Sequence, residues 1–587
     1  MSRHSVLDRA GKESATASTG TPVRLALMCA LFAGCVVVLL WRLYSFQIRD
    51  TERYHRLASE ERRAQIPIIP RRGALLDANG NPLAVSVLYD SVYALGPLVG
   101  DPENTATVLS PILELPSQEI RAKLEKENNR PVVLKSRVAS AVSERLRSLQ
   151  LPGIYLEHEP IRRYPEGSLA EQILGFVGQD FKGLGGLELS YEEELAGSPG
   201  VIDTEKDTAG QEITLGRRVL TPPREGADLV LTLDRYVQRT SERLLDEAVR
   251  RNKARGGLIM VMEPSTGRIL AAATNPTYRL TDDVIYRPEQ EALYKSTIVT
   301  DQYEPGSTMK LVTMASAIEE GLVSPGTTIN DTGLAVVAGA PIRNWDGAAN
   351  GQITMTQVLI KSSNVGTQWV SGLLGADRFY HYVDTFGFGK PTGVRLPGEV
   401  QGTLRTNQTA GWTRVDLATN SYGQGVAVTP LQLLSATASL AHDGIRMKPQ
   451  FVREVRGPNG TQVIEPEMVD QVVSPKTART VVEMMVEVAQ QESLRQHRIP
   501  GYRIALKTGT ADTPTNLGYN LDLTFASVVA LLPADDPRFA VLIRLDGPEA
   551  LYGGVVAAPV VKQLAQELFT YYRIPPSDPV AAASATT

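Results

Sequence analysis

Cysteine and histidine are scarce in this chain. Its 587 residues include two cysteines, Cys29 and Cys35, and both lie in one apolar stretch near the N-terminus. A disulfide framework is therefore excluded. The six histidines lie far apart and form no HExxH or similar spacing. The sequence therefore predicts no catalytic metal and no cofactor.

The chain also lacks a surplus of basic residues. It has 60 Lys and Arg against 65 Asp and Glu, a formal net charge of -5. Such a chain has no positive surface for phosphates, which argues against nucleic acid as a partner. Its 42% hydrophobic and 21% charged residues are typical of globular proteins. The length exceeds that of one ordinary core, so we expect at least two folded domains.

One long hydrophobic run breaks this soluble-like pattern. Leu25 to Trp41 contains no charged residue and is flanked by Arg24 and Arg42. About 17 to 25 apolar residues span a bilayer, and flanking arginines extend a short run by snorkelling. A cleavable signal peptide is the competing interpretation, but its apolar core is shorter, and no small-x-small site follows Trp41. We predict an uncleaved anchor whose orientation the balanced flanking charges do not decide.

Composition divides the chain into five predicted segments. Polar residues rich in Ser, Thr and Gly precede the anchor, and Pro, Ala and Thr dominate the C-terminus. The stretch Thr221 to Gly226 has the Pro and Gly content of a linker. The predicted segments are a cytoplasmic tail over 1–24, the anchor over 25–45, a non-catalytic domain over 50–220, a catalytic domain over 228–573 and a disordered tail over 574–587.

The catalytic region has strand patterns at both ends. Residues 257–262 and 268–273 are apolar runs around the turn-forming Glu263-Pro-Ser-Thr-Gly267, which predicts a hairpin. A second predicted hairpin joins 524–532 to 538–545, and a strand over 502–507 precedes it. Helical patterns fill the interval from Lys310 to Ala441. These patterns predict an α/β (α+β) fold in which helices cover one sheet.

A Ser-x-x-Lys motif lies at the predicted start of a helix. In Glu304-Pro-Gly-Ser-Thr-Met-Lys310, Ser307 and Lys310 are three residues apart and share a helix face. The lysine amine can then reach the serine hydroxyl, and the helix N-terminus favours developing oxyanion charge. Alone, the motif has another interpretation, a capped helix with an exposed lysine.

Two further motifs favour the catalytic interpretation of Ser307 and Lys310 over that of a capped helix. Ser362 and Asn364 form a Ser-x-Asn pattern in Lys361-Ser-Ser-Asn364, and Lys507-Thr508-Gly509-Thr510 follows a predicted strand. Alone, they are typical of a polar turn and a surface strand end. Together the three motifs have the order of the penicillin-inhibited serine acyltransferases. With no histidine nearby, the base for Ser307 is expected to be a lysine whose pKa is lowered by burial and by a second cation, Lys507.

The sequence resembles class B penicillin-binding proteins, most closely the division-specific penicillin-binding protein 3 type, over nearly its whole length. Family members often have a longer, charged loop after the Lys-Thr-Gly, whereas Ala511 to Gly518 is short and uncharged apart from Asp512. Besides the three motifs, the matching stretches include Arg72-Gly-Ala-Leu-Leu-Asp77, Pro82-Leu-Ala-Val-Ser86, Arg163-Tyr-Pro165, Gly186-Leu-Glu188, Ser421-Tyr-Gly-Gln-Gly425, Thr429-Pro-Leu-Gln432, Gly501-Tyr-Arg-Ile-Ala505 and Tyr552-Gly-Gly554.

The resemblance implies a transpeptidase fold, with an antiparallel sheet between helical layers, on a pedestal of the dimerisation-domain type. It implies that Ser307 attacks the D-Ala-D-Ala end of a wall stem peptide, with Lys310 as base and Ser362 as proton relay. Asn364 and the strand carrying Lys507, Thr508, Gly509 and Thr510 would bind the substrate. The backbone N–H groups of Ser307 and Thr510 would form the oxyanion hole.

The resemblance also implies a place and partners for the protein. We expect a single-pass protein of the cytoplasmic (inner) membrane, with its catalytic domain in the periplasm, that takes part in septal wall synthesis. Its expected partners are stem peptides, β-lactam antibiotics, a polytopic membrane wall polymerase and other divisome membrane proteins. The alternatives are an elongation-type class B transpeptidase, a β-lactam-hydrolysing or carboxypeptidase relative, and a catalytically slow β-lactam sensor or division scaffold.

Overall fold

The computed structural model describes residues 20–54, 63–125, 131–205, 219–281, 286–515, 518–550 and 552–578. Most of the predicted N-terminal tail, and the last nine residues of the predicted C-terminal tail, lie outside this part of the chain. The chain forms two compact units. The first comprises Met1–Ile68 and Pro199–Pro223, and the second comprises Ile69–Ser198 and Arg224–Thr587.

The first unit contains the apolar helix. Gly20–Tyr44 is α-helical and continues into a π-helical turn at Ser45–Arg49. The segment Val23–Arg49 has a mean hydropathy of 2.6, and in the described part of the chain it is the one helix long and apolar enough to cross a membrane. A three-stranded antiparallel sheet completes the unit, with Gly200–Glu205 between Arg63–Ile68 and Val219–Thr221.

A seven-stranded sheet in the second unit joins distant parts of the chain. Its strands, in order, are Gly460–Val463, Val452–Gly457, Asp228–Leu231, Leu75–Leu76, Pro82–Ala94 and Val132–Val138, with Ile154–Arg163 also paired to Pro82–Ala94. Asp228–Leu231 pairs with Leu75–Leu76 on one side and with Val452–Gly457 on the other. Strands from the predicted pedestal and from the predicted catalytic domain therefore share one hydrogen-bonded sheet.

The second main sheet has five antiparallel strands. In spatial order they are Arg268–Asn275, Gly256–Glu263, Phe539–Asp546, Gly518–Leu532 and Ala505–Thr515. The central strand Phe539–Asp546 is buried along almost its whole length. Such continuous apolar runs are typical of strands covered on both faces. Both predicted hairpins of this region are confirmed.

Helices cover this sheet and supply most of the core. In Arg235–Arg251, for example, Val237, Leu244, Leu245 and Ala248 are buried at helical spacing, and Asp234 caps the first turn by accepting from the N–H groups of Tyr236 and Val237. The helices of the second unit are Pro102–Leu113, Ser117–Leu124, Ser140–Leu149, Glu171–Leu174, Gly186–Ser190, Glu192–Ala196, Arg235–Arg251, Glu291–Tyr294, Thr297–Thr300, Lys310–Glu319, Met355–Lys361, Asn364–Thr385, Arg414–Ser421, Pro430–Ala441, Pro475–Ala489, Gly553–Val556 and Ala558–Tyr571.

Two details of the predicted secondary structure were wrong. The interval from Lys310 to Ala441 is not wholly helical, because six short strands interrupt it. They are Thr328–Asp331, Leu334–Val337, Ala340–Arg343, Gly351–Thr354, Thr403–Leu404 and Val426–Ala427. The strand predicted over 502–507 begins at Ala505 and continues to Thr515, so Lys507 lies near its start. Cross-strand pairing with Gly518–Leu532 maintains the strand through the polar residues that follow Lys507.

Candidate active site

Ser307 lies on a single 3₁₀ turn, Gly306–Met309, which leads directly into the helix Lys310–Glu319. In a 3₁₀ turn, residues three apart lie almost directly above one another, so Ser307 and Lys310 face the same side. Ser307 is half-buried, whereas Lys310 is fully buried. The motif therefore presents a reachable hydroxyl above a lysine held out of solvent.

Two close backbone contacts fix this turn. Gly306 has φ +55°, and a Cβ placed on it would lie 2.5 Å from the carbonyl oxygen of Thr510. Gly423, with φ +83°, approaches from another side, and its added Cβ would lie 2.2 Å from the carbonyl oxygen of Gly306. The Gly306 N–H also donates to the Gly423 carbonyl at 3.1 Å. The nucleophile turn is thus wedged between the strand Ala505–Thr515 and the loop containing Gly423.

Ser362 is the meeting point of the polar groups. It follows the helix Met355–Lys361 in a left-handed conformation, φ 54° and ψ 41°. Its Oγ lies 2.7 Å from Ser307 Oγ, 3.2 Å from Lys310 Nζ and 3.1 Å from Lys507 Nζ. Lys310 has no direct hydrogen bond to Ser307 in the described structure, so Ser362 links the two motifs. A proton can therefore pass between Ser307 and Lys310 through the Ser362 hydroxyl.

The Lys310 amine has three acceptors around it. Nζ donates to Ser362 O at 2.6 Å and to Asn364 Oδ1 at 2.8 Å, in addition to its contact with Ser362 Oγ. Burial lowers the pKa of Lys310 well below its ordinary value, and the charge of Lys507 lowers it further, while Asp331 acts in the opposite direction. A lysine in this environment can be a neutral amine, and therefore a base, near neutral pH.

Lys507 is the second buried cation of the site. Nζ donates to Ser362 Oγ and, at 3.0 Å, to the carbonyl oxygen of Thr508. Burial lowers the pKa of Lys507 to about 7. Lys507 therefore changes charge near neutral pH.

The remaining predicted residues lie around these groups. Asn364 begins the helix Asn364–Thr385, and its Nδ2 donates to Arg343 O at 2.9 Å. Thr508 and Thr510 are half-buried on the strand that carries Lys507. A Cβ on Gly509 would lie 2.5 Å from Ser527 Oγ and 3.0 Å from Pro305 O, which explains a glycine there. The structure brings Ser307, Lys310, Ser362, Asn364 and Lys507 together; their roles in the reaction stay predictions.

Sequence reasoning missed the polar residues behind the Ser-x-Asn loop. Asp331, Asn344 and Asn350 come from the strand-rich segment between Thr328 and Thr354, and both asparagine side chains donate to the Asp331 carboxylate. In the sequence each lies within two residues of a Gly or an Asp, as turn residues do, so they carry no signal of a site. Glu304 opens the stretch that contains Ser307 and Lys310, but the sequence predicted no role for it. Its Oε1 accepts from the Gly425 N–H at 2.8 Å and so braces the nucleophile turn against the neighbouring loop.

No group of His, Cys, Asp and Glu in the described residues has the arrangement needed to hold a metal ion. The contacts of Ser307, Ser362, Lys310 and Lys507 offer serine and lysine chemistry. A hydroxyl in contact with a relay hydroxyl and a lowered-pKa amine is an arrangement for acyl transfer.

Two family models match the chain. The model of the penicillin-binding protein transpeptidase domain matches residues 257–566, and the model of the penicillin-binding protein dimerisation domain matches residues 67–231. The first range contains Ser307, Ser362 and Lys507. The second covers most of the strands that precede the five-stranded sheet.

Characterised relatives match over almost the entire chain. Stage V sporulation protein D of Bacillus subtilis is 31% identical over 93% of this chain and 85% of its own length. Peptidoglycan D,D-transpeptidase FtsI of Escherichia coli is 31% identical over 92% and 90%. The probable peptidoglycan D,D-transpeptidase PenA of Neisseria meningitidis is 31% identical over 88% and 87%.

Solved structures show the same fold. A peptidoglycan synthetase from Bifidobacterium adolescentis is 27% identical and superposes with a TM-score of 0.73, covering 88% of this chain and 98% of that one. Penicillin-binding protein 3 of Mycobacterium tuberculosis in complex with aztreonam is 26% identical with a TM-score of 0.68, covering 88% and 99%.

Proposed function

Because this chain belongs to the class B penicillin-binding protein transpeptidases, we propose that it cross-links peptidoglycan stem peptides through an acyl-enzyme on Ser307. It is a peptidoglycan D,D-transpeptidase, and its relatives agree with a role in septal cross-linking. The observation that carries the assignment of Ser307 is the chain of contacts from its Oγ through Ser362 Oγ to Lys310 Nζ.

The first half-reaction forms the acyl-enzyme. Ser307 Oγ attacks the carbonyl carbon between the two D-alanines, and its proton passes through the Ser362 hydroxyl to the neutral Lys310 amine. The tetrahedral intermediate then expels the terminal D-alanine, whose nitrogen receives a proton back through Ser362. The contacts of 2.7 and 3.2 Å along this path support the relay. The stem peptide is left as an ester on Ser307.

The second half-reaction forms the cross-link. The amine of a neighbouring stem peptide attacks the ester carbonyl and loses a proton through the same relay. Ser307 Oγ leaves and regains its proton, so the enzyme returns to its starting state. One D-Ala-D-Ala bond is broken for each new peptide bond, and no other energy source is needed.

Lys507 has two roles in this proposal. When protonated, it attracts the terminal carboxylate of the substrate, with Thr508 and Thr510 beside it on the strand. Its charge also lowers the pKa of Lys310 and so keeps that amine available as the base. We assign the oxyanion hole to the N–H groups of Ser307 and Thr510, and the close approach of Thr510 to Gly306 supports that pairing.

The membrane helix determines where this reaction occurs. Among the residues that the structure describes, the N-terminal segment Val23–Arg49 is the one helix suited to a membrane pass. Since the stem peptides of the wall lie outside the cytoplasmic membrane, we place the catalytic domain on that side, in the periplasm. We further propose that a polytopic wall polymerase and divisome membrane proteins are its partners, with β-lactams as inhibitors of the same serine.

The test uses the full-length protein in detergent with a fluorescent penicillin and with a peptide ending in D-Ala-D-Ala plus an acceptor amine. We expect one labelled peptide, modified at Ser307, and release of D-alanine coupled to a new peptide bond. Ser307→Ala should remove both. Ser316→Ala is the control, because this serine lies on the helix that follows the Ser307 turn and its hydroxyl donates to Val312 O. Labelling of another serine would overturn the assignment.

A further inference from the structure

The Ser362–Asn364 loop is held from behind by residues that do not contact Ser307. Its supports come from the excursion between the strands Thr328–Asp331 and Gly351–Thr354. We propose that Asp331 and Asn344 are positioning residues, which hold the Ser362 hydroxyl in place between Ser307 and Lys310. This inference rests on the proposed function, because it assigns these residues to the same reaction.

Asp331 is the centre of the support. It is fully buried, and its carboxylate accepts hydrogen bonds from four groups. Ser363 Oγ donates at 2.6 Å, Asn350 Nδ2 at 2.7 Å, the Gly333 N–H at 2.9 Å, and Asn344 Nδ2 at 2.9 and 3.0 Å to the two carboxylate oxygens. A buried carboxylate with this many donors is a rigid anchor, because each partner is fixed by a charge-assisted hydrogen bond.

Asn344 connects this anchor to the helix that begins at Asn364. Its Oδ1 accepts from the backbone N–H groups of Asn364 at 3.0 Å and Val365 at 3.2 Å. N–H groups in the first turn of a helix have no partner within the helix, so a side chain must supply one. Asn344 thereby ties the helix start to Asp331, and its Nδ2 also donates to Ala348 O at 2.9 Å.

Ser363 is the third residue in the contacts that hold the Ser362–Asn364 loop. Its hydroxyl donates to Asp331 and accepts from the Gly366 N–H at 2.8 Å, as an N-cap does. Ser362 is therefore followed by two residues whose polar groups are anchored. This matters because Ser362 itself has a left-handed backbone, a conformation that persists in a non-glycine residue only when its surroundings enforce it.

The anchor also acts on the charge of the site. Burial and two charged groups determine the state of Lys310: burial and Lys507, on the strand Ala505–Thr515, lower its pKa, and Asp331 raises it. Loss of the Asp331 charge should therefore lower the pKa of Lys310 further. A variant without this charge would lose the placement of Ser362 and at the same time keep a neutral base at lower pH. A purely structural role does not predict that second change.

The test compares full-length variants in detergent by the rate constant for acylation with a fluorescent penicillin between pH 5 and 10. Displacement of a reacting group by about 1 Å costs about 100-fold in rate, so we expect Asp331→Asn to acylate 10- to 100-fold more slowly. Affinity for the non-covalent penicillin complex should change much less. The acidic limb of the acylation rate profile of Asp331→Asn should move to lower pH.

The exchange variant Asp331→Asn with Asn344→Asp tests the hydrogen-bond pairing. It restores one carboxylate and one amide across the same contact, and a carboxylate at 344 still accepts from the two helix N–H groups. We expect at least a tenfold recovery of the rate over Asp331→Asn, and an acidic limb nearer to that of the unmodified chain. Glu320→Gln is the control. It removes a carboxylate that accepts from Tyr382 and Arg378 at the C-terminal end of the helix Lys310–Glu319, about 15 Å along that helix from Lys310.

The outcomes separate the two proposals. If the unmodified chain is not labelled at Ser307, the proposed function fails. If it is labelled and Asp331→Asn is as fast, or its acidic limb moves to higher pH, the positioning inference is overturned. Should Asp331→Asn fail to fold in a thermal melt, Ser363→Ala replaces it, since only one donor to Asp331 is then removed. An unchanged acylation rate in a folded Ser363→Ala variant would equally overturn the inference.

Discussion

At the scale of single residues, one hydroxyl connects the three sequence motifs. Ser362 Oγ contacts Ser307, Lys310 and Lys507, each of which comes from a different element. In the proposed mechanism, the amine of Lys310 therefore acts on Ser307 through the Ser362 hydroxyl. In this arrangement, each of the two groups Ser362 and Lys310 is needed for the same proton transfer, so their removal should not be additive.

We expect Lys310→Ala and Ser362→Ala each to slow acylation of Ser307 by at least about 100-fold, the typical effect of losing a general base. The double variant should be little slower than either single one. Lys361→Ala is the control, because Lys361 is exposed although it adjoins Ser362 in sequence. Rates come from quenched time courses with a fluorescent penicillin. Near-normal acylation of Lys310→Ala would assign the base elsewhere.

The charge of Lys507 gives a pH prediction with a definite sign. Because that charge lowers the pKa of Lys310, Lys507→Ala should raise the pKa of Lys310. Less neutral amine is then present at a given pH, so the acidic limb of the acylation profile should move to higher pH. Lys507→Arg keeps a permanent positive charge and should keep the limb at lower pH. A limb that moves to lower pH in Lys507→Ala would contradict this electrostatic coupling.

Lys507 also predicts a conflict between stability and activity. Its pKa is about 7 in the fold and 10.5 in a free lysine, so the folded state binds fewer protons than the unfolded state between these values. The cost of the buried charge is complete below about pH 7 and disappears as pH rises through 10.5. Lys507→Met should therefore stabilise the fold by roughly 2 to 4 kcal/mol at pH 6.5, and by much less at pH 10. Thermal unfolding at both pH values measures this, and a larger gain at pH 10 would refute it.

At the scale of elements, the nucleophile turn depends on a loop far from it in sequence. A Cβ on Gly423 would lie 2.2 Å from the Gly306 carbonyl oxygen, too close for any real contact. The turn and the Gly423 loop can therefore approach only as two glycines. Nothing in the sequence motif around Ser307 reveals this requirement.

Gly423→Ala should displace the turn and reduce acylation of Ser307 by about 100-fold. Gly411→Ala is a matched control. Gly411 has φ +79°, close to the +83° of Gly423, but an added Cβ there meets no atom within 4 Å. Both substitutions carry the same left-handed backbone cost of about 1 to 2 kcal/mol, and Gly423→Ala adds the clash with the turn, so its melting temperature should fall further. Equal acylation rates in the two variants would show that the contact does not position the turn.

How much of this could be read from the sequence differs between elements. The hairpins of the five-stranded sheet were predictable because long apolar runs flank Pro- and Gly-containing turns. The short strands between Thr328 and Thr354 were not, since four-residue segments show no usable periodicity. Ser307, Ser362 and Lys507 were found through motifs. Asp331 and Asn344 were not predicted from the sequence. Their proposed role depends on a tertiary contact, and turn-like residues give no sign of such a contact in the sequence.

At the scale of the whole chain, the catalytic residues and the membrane helix belong to different compact units. Ser307, Ser362 and Lys507 lie in the unit Ile69–Ser198 with Arg224–Thr587, whereas the helix Gly20–Tyr44 lies in the other. We therefore expect the anchor to contribute location and a face for partner helices, not active-site geometry.

Deletion of residues 1–50 should give a soluble protein that reacts with fluorescent penicillin within about twofold of the full-length rate. The same protein, exported through a cleavable signal, should not support growth of a conditional null strain, because the partner contacts of the helix are absent. A gel assay paired with complementation measures both. Full restoration of division would show that the helix serves only in export. Loss of acylation in a folded protein would contradict the separation of the units.

The seven-stranded sheet constrains recombination between homologous genes. Asp228–Leu231 pairs with Leu75–Leu76 from early in the chain and with Val452–Gly457 from late in it. These three segments must match in register and side-chain packing although nearly 400 residues separate the outermost two. A recombinant that takes its N-terminal half from one homologue and its C-terminal half from another would join mismatched strands in this sheet. Gene segments of this family should therefore exchange most readily where the crossover leaves all three strands with one parent.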